Sequence, residues 1–189
     1  HVTSMAGDAS VNNRFFTDTL GLRRVKKTVN FDAPDVYHLY YGDEVGTPGS
    51  VMTYFPFPGM PKAQHGTGEV GTTTFSIPQG SAAFWTERLA ARSVKGLGID
   101  EDFGETRVLF DAPDGDQFAL VETKDDTRAP WTGGTVSGDV AIRGFRGASM
   151  RLRDDGATAE LLGFMGYQPV DTSGGIKRFA IPNGNGADV

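Results

Sequence analysis

The chain has 189 residues, a formal net charge of −6, 38% hydrophobic and 22% charged residues, 26 Gly and 13 Phe. This is a globular balance, with enough apolar material for a core and enough turn formers for a sheet-rich fold. No apolar run approaches the ~18 residues of a membrane helix, and no basic stripe invites nucleic acid or an anionic membrane. The absence of Cys removes disulfides, thiolate metal sites and a Cys nucleophile, so any metal must be held by His, Asp or Glu.

In chain order, an apolar strand is expected over 1–5. A helix follows, with Asp8 as its N-cap and an apolar stretch from Phe15 to Leu20. Gly21 fits the left-handed residue that ends a helix. Strands are expected over 25–31, 37–41 and 50–55, the last reached through the turn Gly46-Thr47-Pro48-Gly49. The order then repeats. A strand is expected over 72–77, a helix through Phe84-Trp85 to Ala91, a weak strand over 94–97, and strands over 106–111 and 117–123. Ala112-Pro113-Asp114-Gly115 is the turn between the last two. A third round brings a strand over 147–152, a helix capped at Asp154 or Asp155 and ended at Gly166, a strand starting near Val170 and another over 178–181.

The helices share a skeleton: an apolar stretch ends in Leu or Met, a small residue follows, and Val stands five positions after the Leu or Met. The fold class is therefore α+β, built of tandem βαβββ modules, two complete and a third partial. Module 1 covers 1–68, module 2 with its linker 69–139, and the incomplete module 3 covers 140–189. One such unit has a bare apolar sheet face and must pack on another. The start at His1 and the stop at Val189 read as cuts in a longer chain. No secretory signal is seen, so the default expectation is the cytoplasm.

The βαβββ units, the Leu20-Gly21-Leu22 helix end and the Asp111-Ala112-Pro113-Asp114-Gly115 turn resemble the vicinal oxygen chelate superfamily. That group contains glyoxalase I, bleomycin-resistance proteins and extradiol ring-cleaving dioxygenases. Finer resemblance is to the hydroquinone-type ring-cleaving dioxygenases. It rests on His1-Val2-Thr3 with Gly7-Asp8, on the run from Val25 to Asp32, on Tyr37-His38-Leu39-Tyr40-Tyr41-Gly42-Asp43-Glu44, and on Thr53-Tyr54-Phe55-Pro56. Members of this group normally carry four modules, so a fourth is absent here.

The resemblance implies a divalent metal, Fe(II) or alternatively Mn(II), held by two His and one Glu in a cup between paired modules. Ligand positions fall on the first and last strands of a module. They are occupied by His1 and Thr53 in module 1, by Thr72 and Ala119 in module 2, and by Arg146 in module 3. Only His1 is a metal ligand in this set, and the remaining ligands are expected outside this segment. Thr3, two residues along the same strand face, is expected beside the metal, its hydroxyl facing substrate or water. Glu122, three residues past Ala119, should face away from the cup. The implied activity is cleavage of a hydroquinone or catechol-like ring by O₂, with a homo-oligomer and without nucleic acid or membrane partners. A glyoxalase-like lyase or isomerase, or a metal-free protein that sequesters a small aromatic, stand as alternatives.

Other residues read more plainly. His38 on a middle strand is a structural or substrate-pocket histidine. His65 lies in a Gly-rich, solvated loop. Asp100-Glu101-Asp102 is an acidic solvated loop without calcium-loop spacing. Lys26 and Lys27 lie on a solvated strand edge. Phe84 and Trp85 are core residues, and Phe55 and Phe57 either join the core or line an aromatic pocket.

Overall fold

The computed structural model describes residues 1–61, 64–124, 126–182, 184 and 189. Strands β1 (Val2–Ala6), β2 (Arg23–Val29), β3 (Tyr37–Gly42) and β4 (Met52–Pro56) form one sheet in the order β1-β4-β3-β2. A second sheet has the order β6-β7-β8-β5-β9, from β5 (Glu69–Pro78), β6 (Lys95–Asp102), β7 (Glu105–Asp111), β8 (Gln117–Thr123) and β9 (Gly144–Arg151). In each of these sheets the first strand of the module pairs in parallel with the last, as β1 with β4 and β5 with β8. The antiparallel pairing of β5 with β9 joins the third round of the sequence to the second. A hairpin of β10 (Gln168–Ser173) and β11 (Ile176–Ala180) follows helix α3 (Gly156–Phe164).

The first helix, α1 (Ala9–Arg14), starts at Asp8, whose carboxylate accepts the backbone N–H groups of Ser10 and Val11. It then widens into a π-helical turn over Phe15–Thr19, closed by the Leu20 N–H donating to the Phe15 carbonyl. The wider turn lets the consecutive rings of Phe15 and Phe16 both enter the core. Gly21 ends the segment at φ +72°, as the sequence predicts. Helix α2 (Ala82–Ala91) buries Trp85 and Leu89, one turn apart on a single face. Arg88 in its last turn donates to the carbonyls of Thr19 and Asp18, orphans at the end of the π turn.

These helices and the facing sides of the two sheets share one core. Phe16 stacks on Tyr41 at 4.8 Å, meets Tyr54 at 5.1 Å, and reaches Phe118 of the second sheet at 5.9 Å. Phe75 continues the aromatic layer to Phe118 and Phe145. The segment between β8 and β9 straps the modules together: Val136 packs where a Cβ on Gly21 would stand, and the Trp85 indole donates to the Val140 carbonyl at 2.8 Å.

Two expectations need correction. Asp100-Glu101-Asp102 is the end of β6, longer than the weak strand expected, because Arg107 on β7 pairs with both Asp100 and Asp102. Phe84 lies on the partly exposed side of α2, edge-on to the buried Trp85. Asp155, one of the two residues expected there, takes the N-cap position of α3 with its carboxylate turned to Lys177 at 2.6 Å, while Asp154 accepts the Gly156 N–H. Among the described residues no helix is long and apolar enough to cross a membrane.

Candidate functional site

Strand alternation divides β1 into two faces. Val2 and Ala6 pack on the core, and Ser4 points the same way. His1, Thr3 and Met5 project from the opposite side, and all three are exposed. On β3 the alternation buries Leu39 and Tyr41 and leaves His38 and Tyr40 on this open side. On β4, Thr53 and Phe55 share it. Register aligns Thr3, Thr53, Tyr40 and Lys26 in one row across the sheet, and Met5 with Phe55 in the row above.

The hydroxyls in the first row are joined. Thr53 Oγ1 donates to Thr3 Oγ1 at 2.9 Å, and Thr53 is fully buried beneath its neighbours. Beside them the His38 ring lies 4.0 Å from Phe55 and 4.1 Å from Tyr40, with its Nδ1 2.8 Å from the Tyr40 hydroxyl. The Lys26 ammonium sits 5.6 Å from the centre of the Tyr40 ring, and Lys27 lies over Tyr37 on the other face. Burial, and then the nearby Lys26 charge, lower the His38 imidazole from its ordinary pKa. The open face thus offers an imidazole at one edge, a hydroxyl pair, and a cluster of three tilted rings.

The equivalent positions of the second sheet carry a different chemistry. Thr72, Thr74, Leu109, Val121 and Arg146 line a cavity of about 620 Å³ between that sheet and the third module. Ala119, alongside Thr74 in the register, is fully buried. Arg146 donates to Glu105 at 2.8 Å, and Arg178 reaches the same carboxylate at 3.4 Å. Ion pairs stand here where the resemblance would place ligands. Glu122 faces the core side, as expected, and its carboxylate accepts the Ala82 N–H at 2.7 Å, which caps α2. His65 is half-exposed and pairs with Glu69.

The donor set decides what this chain alone can hold. Among the described residues no three His, Asp or Glu side chains gather into a metal site. One imidazole, His1, does not fix a divalent ion, which needs several donors in defined geometry. The residues present therefore do not fit a complete metal centre, and no chemical step is assigned to a metal from them.

The structure places His1, Thr3 and Phe55 on this open face, together with His38, which the sequence left as a structural or substrate-pocket histidine. Sequence reasoning missed Tyr40 and the Thr53 hydroxyl bond, although period two along β3 and β4 places both on the same face. It also missed the back of this face. There, in the turn leading into β8, Asp116 accepts bonds from Ser4 Oγ at 2.6 Å and Tyr54 Oη at 2.9 Å. Burial raises the Asp116 pKa against the pull of those two bonds, and Tyr54, buried beside it, is raised well above the ordinary phenol value.

No family model matches the chain. It is 42% identical over 180 residues to MhqO of Bacillus subtilis, named as a ring-cleaving dioxygenase, covering 95% of this chain and 57% of that protein. It is 33% identical to the chlorohydroquinone/hydroquinone 1,2-dioxygenase of Sphingobium indicum, covering 100% of this chain and 60% of that one. A solved B. subtilis structure described as a dioxygenase superposes with a TM-score of 0.93 at 41% identity, over 100% of this chain and 61% of the other. A glyoxalase/bleomycin resistance/dioxygenase domain from Frankia superposes over 66% of this chain and 95% of its own with a TM-score of 0.54 at 14% identity, a likeness of fold alone. The chain thus spans about three fifths of the length of the curated relatives it matches. The chain is thus similar in sequence to proteins named as ring-cleaving dioxygenases, and it carries the fold of the glyoxalase/bleomycin resistance/dioxygenase domain.

Proposed function

We propose that this chain forms part of a metal-dependent dioxygenase that opens hydroquinone or catechol-like rings. The observation that carries the reading is the open face of the first sheet. It gathers an imidazole, a bonded hydroxyl pair and a cluster of tilted rings on one surface, in a chain similar to ring-cleaving dioxygenases. In this reading His1 is one ligand to Fe(II), or to Mn(II), which suit a face of two His and one carboxylate with open positions. The other ligands lie on polypeptide outside residues 1–189, in keeping with the greater length of the relatives.

The roles of this chain's own residues follow from their positions. The Phe55–His38–Tyr40 cluster receives the flat face of an aromatic substrate and keeps water from it. Thr53 donates to Thr3, which orients the Thr3 hydroxyl toward a substrate oxygen beside His1. The reaction places both atoms of O₂ in the product as one ring carbon–carbon bond breaks.

The test is metal analysis and oxygen uptake on the full-length protein prepared without oxygen, with a panel of hydroquinones and catechols. Iron or manganese near one per chain, with oxygen consumed in step with substrate, is the expected result. Bound metal with no uptake on any member of the panel would transfer the chain to the lyase reading. Absence of metal together with tight binding of the aromatic would support sequestration instead.

A further inference from the structure

We infer that Asp116, a residue of the second module, is a positioning residue for the candidate site on the first, an inference that rests on the function proposed above. Ser4 and Tyr54 are direct register partners on β1 and β4. One position back, on the opposite face, stand Thr3 and Thr53, also register partners. The two oxygens of the Asp116 carboxylate take one strand each, Oδ1 from Ser4 and Oδ2 from Tyr54. The carboxylate is thus a brace across the back of the two strands whose front carries His1, Thr3 and Thr53.

The brace is itself rigidly mounted. The Ala112 N–H donates to the Asp116 carbonyl, and the Gly115 N–H to the Ala112 carbonyl, closing the turn ahead of β8. Gly115 supplies the left-handed residue of that turn at φ +102°. A second carboxylate from the same turn, Asp114, accepts the Gly7 N–H at 2.8 Å just past the end of β1. Two acidic side chains of one module therefore grip one strand of the other.

That strand needs such a grip. β1 lies at the edge of its sheet and, among the described residues, pairs only with β4, over five residues. A short edge strand held by one ladder opens more readily than a central strand. Opening or sliding β1 moves His1 and Thr3 together, because they share its backbone. A residue in another module can thereby govern the site without touching substrate.

The experiment compares Asp116→Ala, Asp116→Asn and Ser4→Ala with the unmodified full-length protein. Backbone hydrogen exchange is read across both sheets, and KM and kcat for a hydroquinone in oxygen uptake. Asp116→Ala is expected to speed exchange of the β1 amides about tenfold or more over those of β3 and β7, with KM raised at least threefold. Asp116→Asn keeps one acceptor oxygen and sets an amide NH₂ against the other hydroxyl, so both effects are expected to be smaller than with Asp116→Ala. Ser4→Ala, a smaller cut less prone to unfold the chain, gives the same local pattern more weakly. Exchange unchanged at β1, or accelerated equally in all strands, overturns the inference, as does a fall in kcat alone that tracks the folded fraction. Exchange needs neither metal nor substrate. Unmodified protein that consumes no oxygen therefore overturns the functional proposal by itself, while the exchange pattern still decides whether Asp116 braces β1.

Discussion

Replacing Phe16 with Ala tests whether the two sheets share one core through the π turn. The ring is fully buried and meets Tyr41, Tyr54 and Phe118, so it bridges both sheets. Truncating a buried Phe costs about 3–5 kcal/mol, from lost transfer energy and the cavity left behind. Aromatic pairs add about 0.5–1.5 kcal/mol beyond area, which places this site near the upper end, at about 5 kcal/mol. For a chain of this size that loss lowers the unfolding midpoint by roughly 10–20 °C. Thermal unfolding followed by near-ultraviolet circular dichroism reads it directly. Phe31→Ala, at a ring 88% exposed, serves as the control and stays within about 0.5 kcal/mol. A loss below about 1 kcal/mol at Phe16 would show that the π turn does not carry the joint core.

Gly21→Ala combines a left-handed backbone at φ +72° with a Cβ only 2.5 Å from Val136 Cγ2, and should cost about 2–4 kcal/mol. Gly80→Ala, at φ +85° with open space around it, isolates the backbone part at about 1 kcal/mol, and equal losses at the two sites would remove the Val136 clash from the account. Glu122→Ala leaves the Ala82 N–H without its acceptor and should destabilise the chain by about 1 kcal/mol in urea unfolding, whereas an unchanged midpoint would deny the cap. Asp126 gives a pH test: burial opposes its charge, but the Arg128 guanidinium outweighs this and pushes the carboxyl from 3.8 down to about 2. A depressed folded-state value stabilises above pH 3.8 and is lost as pH falls through about 2. Partial solvent screening leaves about 1 kcal/mol of this. Asp126→Asn should therefore be less stable than the unmodified chain at pH 6 and converge with it near pH 2, and parallel stability curves would contradict the assignment.

Much of the fold was legible because local chemistry decides it. Asp8 had no better place than a helix N-cap, and Gly21 and Gly115 sit where only a left-handed residue closes the turn. Period two along 37–42 separates Leu39 and Tyr41 from His38 and Tyr40 without reference to any partner. The acidic run at 100–102 was misread because its order comes from across the sheet, where Arg107 neutralises two carboxylates that look solvated in isolation. The π turn was also invisible, since its extra residue is selected by rings on both sheets and not by the helix alone.

The amino-acid order by itself determined the repeated units, their turns, and which residues of each strand share a face, because these depend on backbone sterics and on neighbours a few positions away. Only the tertiary structure decided that the second module reaches back to brace β1 and that ion pairs around Glu105 stand in the cavity beside the second sheet. Those outcomes depend on side chains as much as 112 positions apart in the chain, and a hydrogen bond or ion pair forms only when folding has brought both partners within about 3 Å.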